Sequence, residues 1–154
     1  MTPPPSGDPV GEDGATDTAA SKSRVVAVSR DLLGRLSAVG TYKRPPRAAW
    51  TGCDDLGGHV AYRVSGRLDA AAGSPDVFLA EVRRTVHDGG VELTQVSTST
   101  DAVTWQGEDD DIRVQLTGYA AQPVVLLSLT GPCLDVGDAD EDLLAEAPER
   151  LDLR

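Results

Sequence analysis

The sequence predicts an α+β domain with an N-terminal helix followed by a β-α-β-β-β-β order of elements. It should form one mostly antiparallel sheet, with two helices on one face and one disulfide. Three observations support this prediction. Apolar residues recur at helical spacing in two segments. They alternate with polar residues in a series of short segments separated by turn-forming residues. The two cysteines, Cys53 and Cys133, lie just before the first and just after the last predicted strand.

The chain of 154 residues has room for one domain with flanking segments. We expect residues 1–22 to form a disordered linker or tether, because they hold too little apolar surface to offset the entropy of ordering. Residues 23–134 are predicted to form the single α+β domain. Residues 135–154 are predicted to be an acidic C-terminal tail, mobile apart from a short helix around 139–146.

Two segments have the pattern of helices. The first spans residues 23–38, where apolar side chains recur three and four positions apart. The second begins at 74–76, where a serine cap is followed by proline and aspartate, and ends at the glycine pair 89–90. Between the first helix and the first strand we expect irregular chain, because the proline pair at 45–46 suits neither a helix nor a central strand.

Five strands are predicted, at 58–68, 91–98, 102–106, 111–119 and 123–131. The last is apolar on both faces, which is typical of a strand inside a sheet and covered on both sides. A right-handed helical crossover followed by a meander makes the last strand run opposite to the first. We therefore predict that these two strands pair antiparallel.

This topology predicts a disulfide between Cys53 and Cys133. Cys53 comes just before the first strand and Cys133 just after the last, so antiparallel pairing brings both to the same end of the sheet. Disulfides persist in oxidising compartments, so we expect an extracytoplasmic protein of the cell envelope or a secreted one. Two alternatives stay open: two buried free thiols, and a zinc site completed by His59 and His87.

The charge balance bears on partners. A net charge of −11 argues against nucleic acid, because neutralising phosphates requires a basic stripe. The dense basic cluster outside a helix is Lys43, Arg44 and Arg47. With Tyr42 beside it, this cluster is the candidate contact for an unknown protein or small ligand, although an ordinary solvated loop also explains it. We expect the domain to be a monomer.

No apolar run approaches the ~20 residues of a membrane-spanning helix, and the N-terminus lacks the apolar region of a signal peptide. We expect that any export signal or lipid anchor lies outside this sequence. Phosphate-binding and nucleophile-elbow motifs are absent, so we predict no catalytic, cofactor-binding or metal-ligating residues. Two calcium alternatives stay open. They are the acidic turn at 108–111 and the EF-hand-like spacing of Asp138, Asp140, Asp142 and Glu149, which lacks the required glycine.

A polar tether and a helix precede Trp50-x-x-Cys53, a β-α-β unit, a strand with Thr104-Trp105 and a last strand that leads to Cys133. In this layout, residues 1–133 resemble the small exported lipoproteins of actinobacteria. The resemblance implies an envelope location and no known catalytic residues. The lipid-bearing cysteine at the mature N-terminus of such proteins is missing here, where Met1 stands.

These observations favour an extracytoplasmic, envelope-associated and non-enzymatic binding domain with no cofactor. One alternative is a cytoplasmic immunity-type protein whose acidic surface masks a basic partner. A weaker alternative is a hydrolase with an unrecognised site.

Overall fold

The computed structural model describes residues 10–53, 57–70 and 73–153, with side chains from Asp17 onward. The helices are α1 (Val10–Leu36), α2 (Pro75–Asp88) and α3 (Asp140–Leu144). The strands are β1 (Arg47–Gly52), β2 (His59–Asp69), β3 (Thr94–Thr98), β4 (Ala102–Asp109), β5 (Ile112–Tyr119), β6 (Val124–Thr130), β7 (Leu134–Asp135) and β8 (Glu149–Arg150). None of the helices in these described ranges is both long and apolar enough to cross a membrane.

The strands form one antiparallel sheet in the order β3-β4-β5-β6-β2-β1-β8, and β7 pairs with the start of β2. The predicted α+β class is confirmed. The predicted antiparallel neighbours are also confirmed, because β2 and β6 pair from Arg63↔Thr130 to Asp69↔Val124. This pairing places β6 inside the sheet, as its two apolar faces require.

Strand β1 corrects the prediction of irregular chain in this region. It pairs along its whole length with β2, from Arg47↔Ser65 to Gly52↔Val60. The two prolines end at Pro46, just before the strand, so they remove no hydrogen bond from its ladder. The alternation that marks the strand is weak in the sequence because Ala48 and Ala49 are small, although Ala48 is buried.

The core lies between one face of the sheet and the two long helices. Alternate residues of β2, such as Val60, Tyr62 and Val64, are buried on this face. The buried side chains that meet them from the helices are Val25, Leu32, Leu33 and Leu36 of α1 and Phe78, Val82 and Val86 of α2. Because both helices share one core cluster, they cover one face of the sheet and leave the other open.

Helix α1 begins at Val10 rather than at residue 23, so the predicted start of the helix is wrong. Ser21 and Lys22, at the end of this additional helical segment, contact the rest of the fold. The Nζ atom of Lys22 lies 2.7 Å from Oε1 of Glu149, and the buried side chain of Ser21 lies beside Gly131. Residues 1–9 lie outside the described residues, and the division into tether, domain and tail stays a prediction.

The C-terminal segment packs on the domain, although we expected most of it to be mobile. The N–H of Leu151 donates to the carbonyl oxygen of Pro46 at 2.8 Å, and the side chain of Leu151 is only 3% exposed. Nε of Arg30 donates to the carbonyl oxygen of Asp152 at 3.0 Å. The leucine lies between charged residues in sequence, and its burial against β1 and α1 outweighs the polarity of its neighbours.

Candidate functional site

The candidate site is the open face of the sheet, which neither α1 nor α2 covers. Strand alternation directs every second side chain of β2 to this face, and these include Arg63, Ser65 and Arg67. All three are exposed, whereas the residues between them face the core or approach other chain segments. The face contains several arginines, in contrast to the acidic balance of the whole chain, and Leu126 of β6 is 41% exposed on it.

Arginines cross this face in a diagonal row. Arg63 of β2 and Arg113 of β5 are both paired with Thr130 of β6. Arg47 of β1 is paired with Ser65 on one side and with Arg150 of β8 on the other. We call Arg47, Arg63, Arg113 and Arg150 the arginine row. All four are exposed, and within the residues that the structure describes none of them forms an ion pair.

A groove of about 910 Å³ lies over the centre of the row. Its basic walls are Lys43, Arg44, Arg47, Arg63 and Arg67. A second depression of about 540 Å³ shares Arg63, Gln115 and Ser128 with the first and extends to the two cysteines. Its walls carry both signs of charge, because Glu108 and Asp111 line it beside the arginines. The open face is therefore one continuous recessed surface from the loop before β1 to the disulfide.

The carboxylate of Asp69 links the loop before β1 to the groove. Asp69 accepts hydrogen bonds from Nε of Arg67 at 2.9 Å and from Nη2 of Arg67 at 3.2 Å. The Nζ atom of Lys43 lies 3.2 Å from the same carboxylate. The hydrogen bond from Arg67, helped by Lys43, lowers the pKa of Asp69 below its ordinary value, and the pairing raises the pKa of Arg67. The charge of Arg67 is thus partly neutralised within the fold.

The predicted contact residues divide into two groups. Lys43, Arg44 and Arg47 line the groove, as expected for contact residues, and their role in binding stays a prediction. Tyr42 is half-buried against the core, and its hydroxyl group donates to the carbonyl oxygen of Leu33 at 2.8 Å. Burial raises the pKa of this phenol well above its ordinary value. Tyr42 therefore supports the loop from below, and its role as a contact stays a prediction.

Sequence reasoning missed the other half of the basic surface. Arg63 and Arg67 stand four residues apart on the polar side of a predicted strand, and this alternation was an available signal. Arg113 gives the same signal in the strand predicted at 111–119. Searching for consecutive basic residues overlooks a surface of this kind, because a strand spaces the members of one face two positions apart.

The disulfide between Cys53 and Cys133 is confirmed, with a Cα–Cα distance of 6.1 Å. Both residues are exposed at the end of the second depression. The bond removes the two alternatives of free thiols and a zinc site, because both sulfur atoms are used in the bond.

The acidic segments do not form an assembled metal site. Across residues 10–53, 57–70 and 73–153, no three His, Cys, Asp or Glu side chains converge as a ligand set. The acids of EF-hand-like spacing make separate contacts instead. Asp140 accepts from the N–H of Gly58 at 2.8 Å, and Glu149 pairs with Lys22.

No family model matches the chain, and no curated protein matches it. Among solved structures, the chain is similar to the crystal structure of the "putative lipoprotein LppA" from Mycobacterium tuberculosis, with 18% sequence identity and a TM-score of 0.41. The match covers 84% of this chain and 82% of that chain. This is a weak likeness to a lipoprotein, and the candidate site rests on geometry alone.

Proposed function

We propose that the protein is an extracytoplasmic, non-enzymatic domain that binds its ligand on the open face of the sheet. The observation that carries this proposal is the arginine row. Exposed arginines without ion pairs over a recessed surface repel one another and gain from an anionic ligand. The rest of this acidic chain offers plenty of carboxylates, yet among residues 10–53, 57–70 and 73–153 none forms an ion pair with the row.

The disulfide supports the extracytoplasmic part of the proposal. An exposed disulfide is accessible to the thiol-reducing systems of the cytoplasm, and such bonds persist mainly in oxidising compartments. The cytoplasmic immunity-type alternative also requires an acidic surface for a basic partner. The groove over the centre of the arginine row has basic walls, which favours the envelope hypothesis, although Glu108 and Asp111 line the second depression.

A thiol count tests the location. The protein is isolated from its native cells with a thiol-blocking reagent present from lysis onward, and its mass is measured without and with reductant. We expect no blocked cysteine before reduction and two blocked cysteines when reduction precedes blocking. Two blocked cysteines in the unreduced sample would contradict an extracytoplasmic location.

Site-specific photo-crosslinking in the native envelope tests the surface. A photoreactive residue replaces Gln115, which lines both depressions of the open face. The matched control carries the same residue at Val77, which is 58% exposed on α2. We expect a defined adduct from position 115 alone. The proposal fails if position 115 gives no adduct or if both positions give the same one.

A further inference from the structure

We propose that the ligand of the open face is a linear polymer of phosphate groups that lies along the arginine row. This inference rests on the proposed function, since it requires the open face to be the binding surface.

The spacing of the row suits a chain of repeated charges. Arg63 and Arg113 are separated by one intervening strand, so their backbones lie about 10 Å apart. Arg47 lies on the next strand and two residues along, about 8 Å from Arg63. Arg67 is held by Asp69, and Arg113 lies opposite Glu108 in the β4–β5 register, so the free positive charge is concentrated at Arg63 and Arg47. A linear polyanion can place successive charged groups at each of these points.

The groups between the arginines favour phosphate over carboxylate. Thr130 lies directly between Arg63 and Arg113, and Ser65 lies directly beside Arg47. Hydroxyl groups and guanidinium groups together supply donors from several directions. A tetrahedral phosphate can accept from all of them, whereas a carboxylate presents two oxygens in one plane.

The net charge of the protein favours a single polymer chain over an extended anionic surface. With a net charge of −11, the protein is repelled by an extended anionic surface such as a membrane, whose charges act over a screening length of about 8 Å. A single polymer chain in the groove meets Arg47 and Arg63 and stays clear of most of the acidic surface, and its acidic neighbours Glu108 and Asp111 lie at the Arg113 end. Charge complementarity therefore selects a linear polyanion over a bilayer.

The ligand also lacks rings that need stacking. In the described part of the chain, the register places one aromatic side chain on the open face, Tyr119, at the opposite end of β5 from Arg113. Nucleobases bound on a sheet stack on aromatic side chains, and each such contact contributes about 1–3 kcal/mol. Without a stacking platform, the recognition reduces to phosphate groups.

The test measures binding of linear inorganic polyphosphate to the full chain with its disulfide intact, over a series of salt concentrations. We expect the logarithm of the binding constant to fall linearly with the logarithm of the salt concentration. Arg63→Gln and Arg47→Gln should each weaken binding by about five- to tenfold and reduce the salt slope by about 0.7–1. Arg84→Gln, which removes an exposed arginine from α2 on the other side of the sheet, should change neither quantity.

Three comparison probes decide the class of ligand. Polyglutamate binding as tightly as polyphosphate would overturn the choice of phosphate. A single-stranded oligonucleotide of equal charge binding more tightly would overturn the choice of a polymer without bases. Binding to phosphatidylglycerol vesicles without binding to polyphosphate would replace the polymer with a membrane surface. Absence of polyphosphate binding, or equal losses in Arg63→Gln and Arg84→Gln, would also overturn the inference.

The two proposals can fail separately. A crosslinked adduct at position 115 without polyphosphate binding keeps the open face as the binding surface and rejects the phosphate polymer. Absence of both rejects both. Denaturant unfolding of Arg63→Gln is measured beside binding, and Arg47→Gln serves as the second variant if Arg63→Gln does not fold.

Discussion

Arg67 and Asp69 lie two residues apart on one face of β2, and their side chains form a two-point ion pair at 2.9 Å and 3.2 Å. Residues at this spacing in a strand share a face, so the pair is local. Lys43 adds a third contact at 3.2 Å from a distant part of the chain. The carboxylate therefore joins the loop before β1 to β2 and shapes the edge of the groove.

Asp69→Asn should destabilise the protein by about 1 kcal/mol at neutral pH, because it breaks the pairs with Arg67 and Lys43. The pKa of Asp69 is lowered in the folded protein, so the stabilisation is present above the unfolded pKa of about 4 and is lost as the pH falls through the folded value. The difference between variant and wild type should shrink below about pH 4. Denaturant unfolding across this pH range measures it.

The control for this prediction is Asp101→Asn, which makes the same change of charge at an exposed residue. We expect its unfolding free energy to follow the wild type within about 0.5 kcal/mol at every pH. If the difference in unfolding free energy between wild type and Asp69→Asn stayed constant down to pH 2, the charge of the Asp69 carboxylate would not be its cause.

The double variant Cys53→Ser and Cys133→Ser should lose about 2–5 kcal/mol of unfolding free energy, since the disulfide closes a long loop in the unfolded chain. Both residues are exposed, so the serine hydroxyl groups remain hydrated and add no burial cost. Denaturant unfolding checks the value. Wild-type protein treated with reductant should match the double variant, and equal stability of oxidised wild type and double variant would contradict the prediction.

Gly107→Ala should destabilise the protein by about 1–3 kcal/mol. A methyl group at this position would overlap the carbonyl oxygen of Glu92 and come 2.8 Å from Cγ1 of Val91, so the backbone before β3 must move. Gly34→Ala is the matched control, because nothing lies within 4 Å of its added methyl group in α1. Gly34→Ala should raise the free energy of unfolding by up to about 1 kcal/mol, because alanine has a higher helix propensity than glycine. Thermal and denaturant unfolding measure the stability of both variants. An unchanged stability of Gly107→Ala would contradict the close contact between Gly107 and the backbone at Glu92.

Leu151→Ala should lower the free energy of unfolding by about 2–4 kcal/mol, because the side chain of Leu151 is 3% exposed and belongs to the hydrophobic core. Leu144→Ala changes the same side chain at a position that is 44% exposed and should stay within about 0.5 kcal/mol of wild type. Chemical denaturation measures both. Equal effects of the two substitutions would show that the C-terminal segment does not contribute to the folded core in solution.

Local pattern explains which elements could be predicted. Helix α2 follows from its serine cap and proline start, and Oγ of Ser74 accepts from the N–H of Val77 at 3.2 Å. The position of β6 follows from two apolar faces and a meander, and the disulfide follows from that position. Each of these inferences depends on residues that are close in sequence or on the general handedness of crossovers.

The elements that were missed depend on distant partners. β1 and β8 are short or weakly patterned in the sequence. β1 becomes a strand because it pairs with the edge of β2, and β8 pairs with β1 beside the buried Leu151. Ser21 and Lys22 of α1 contact Gly131 and Glu149, which lie more than a hundred positions away. Propensity in a short window does not contain this support.

The sequence alone determined the class of fold, the β2–β6 pairing and the disulfide, because periodicity, capping and connection handedness act through near neighbours. Only the tertiary structure decided where the arginines meet. Arg47, Arg63 and Arg113 belong to three strands, and strand order and register place them in one row. The tertiary structure also turns Tyr42 inward to the carbonyl oxygen of Leu33, while Lys43 lies at the groove. The site therefore depends on packing between segments that the linear order keeps apart.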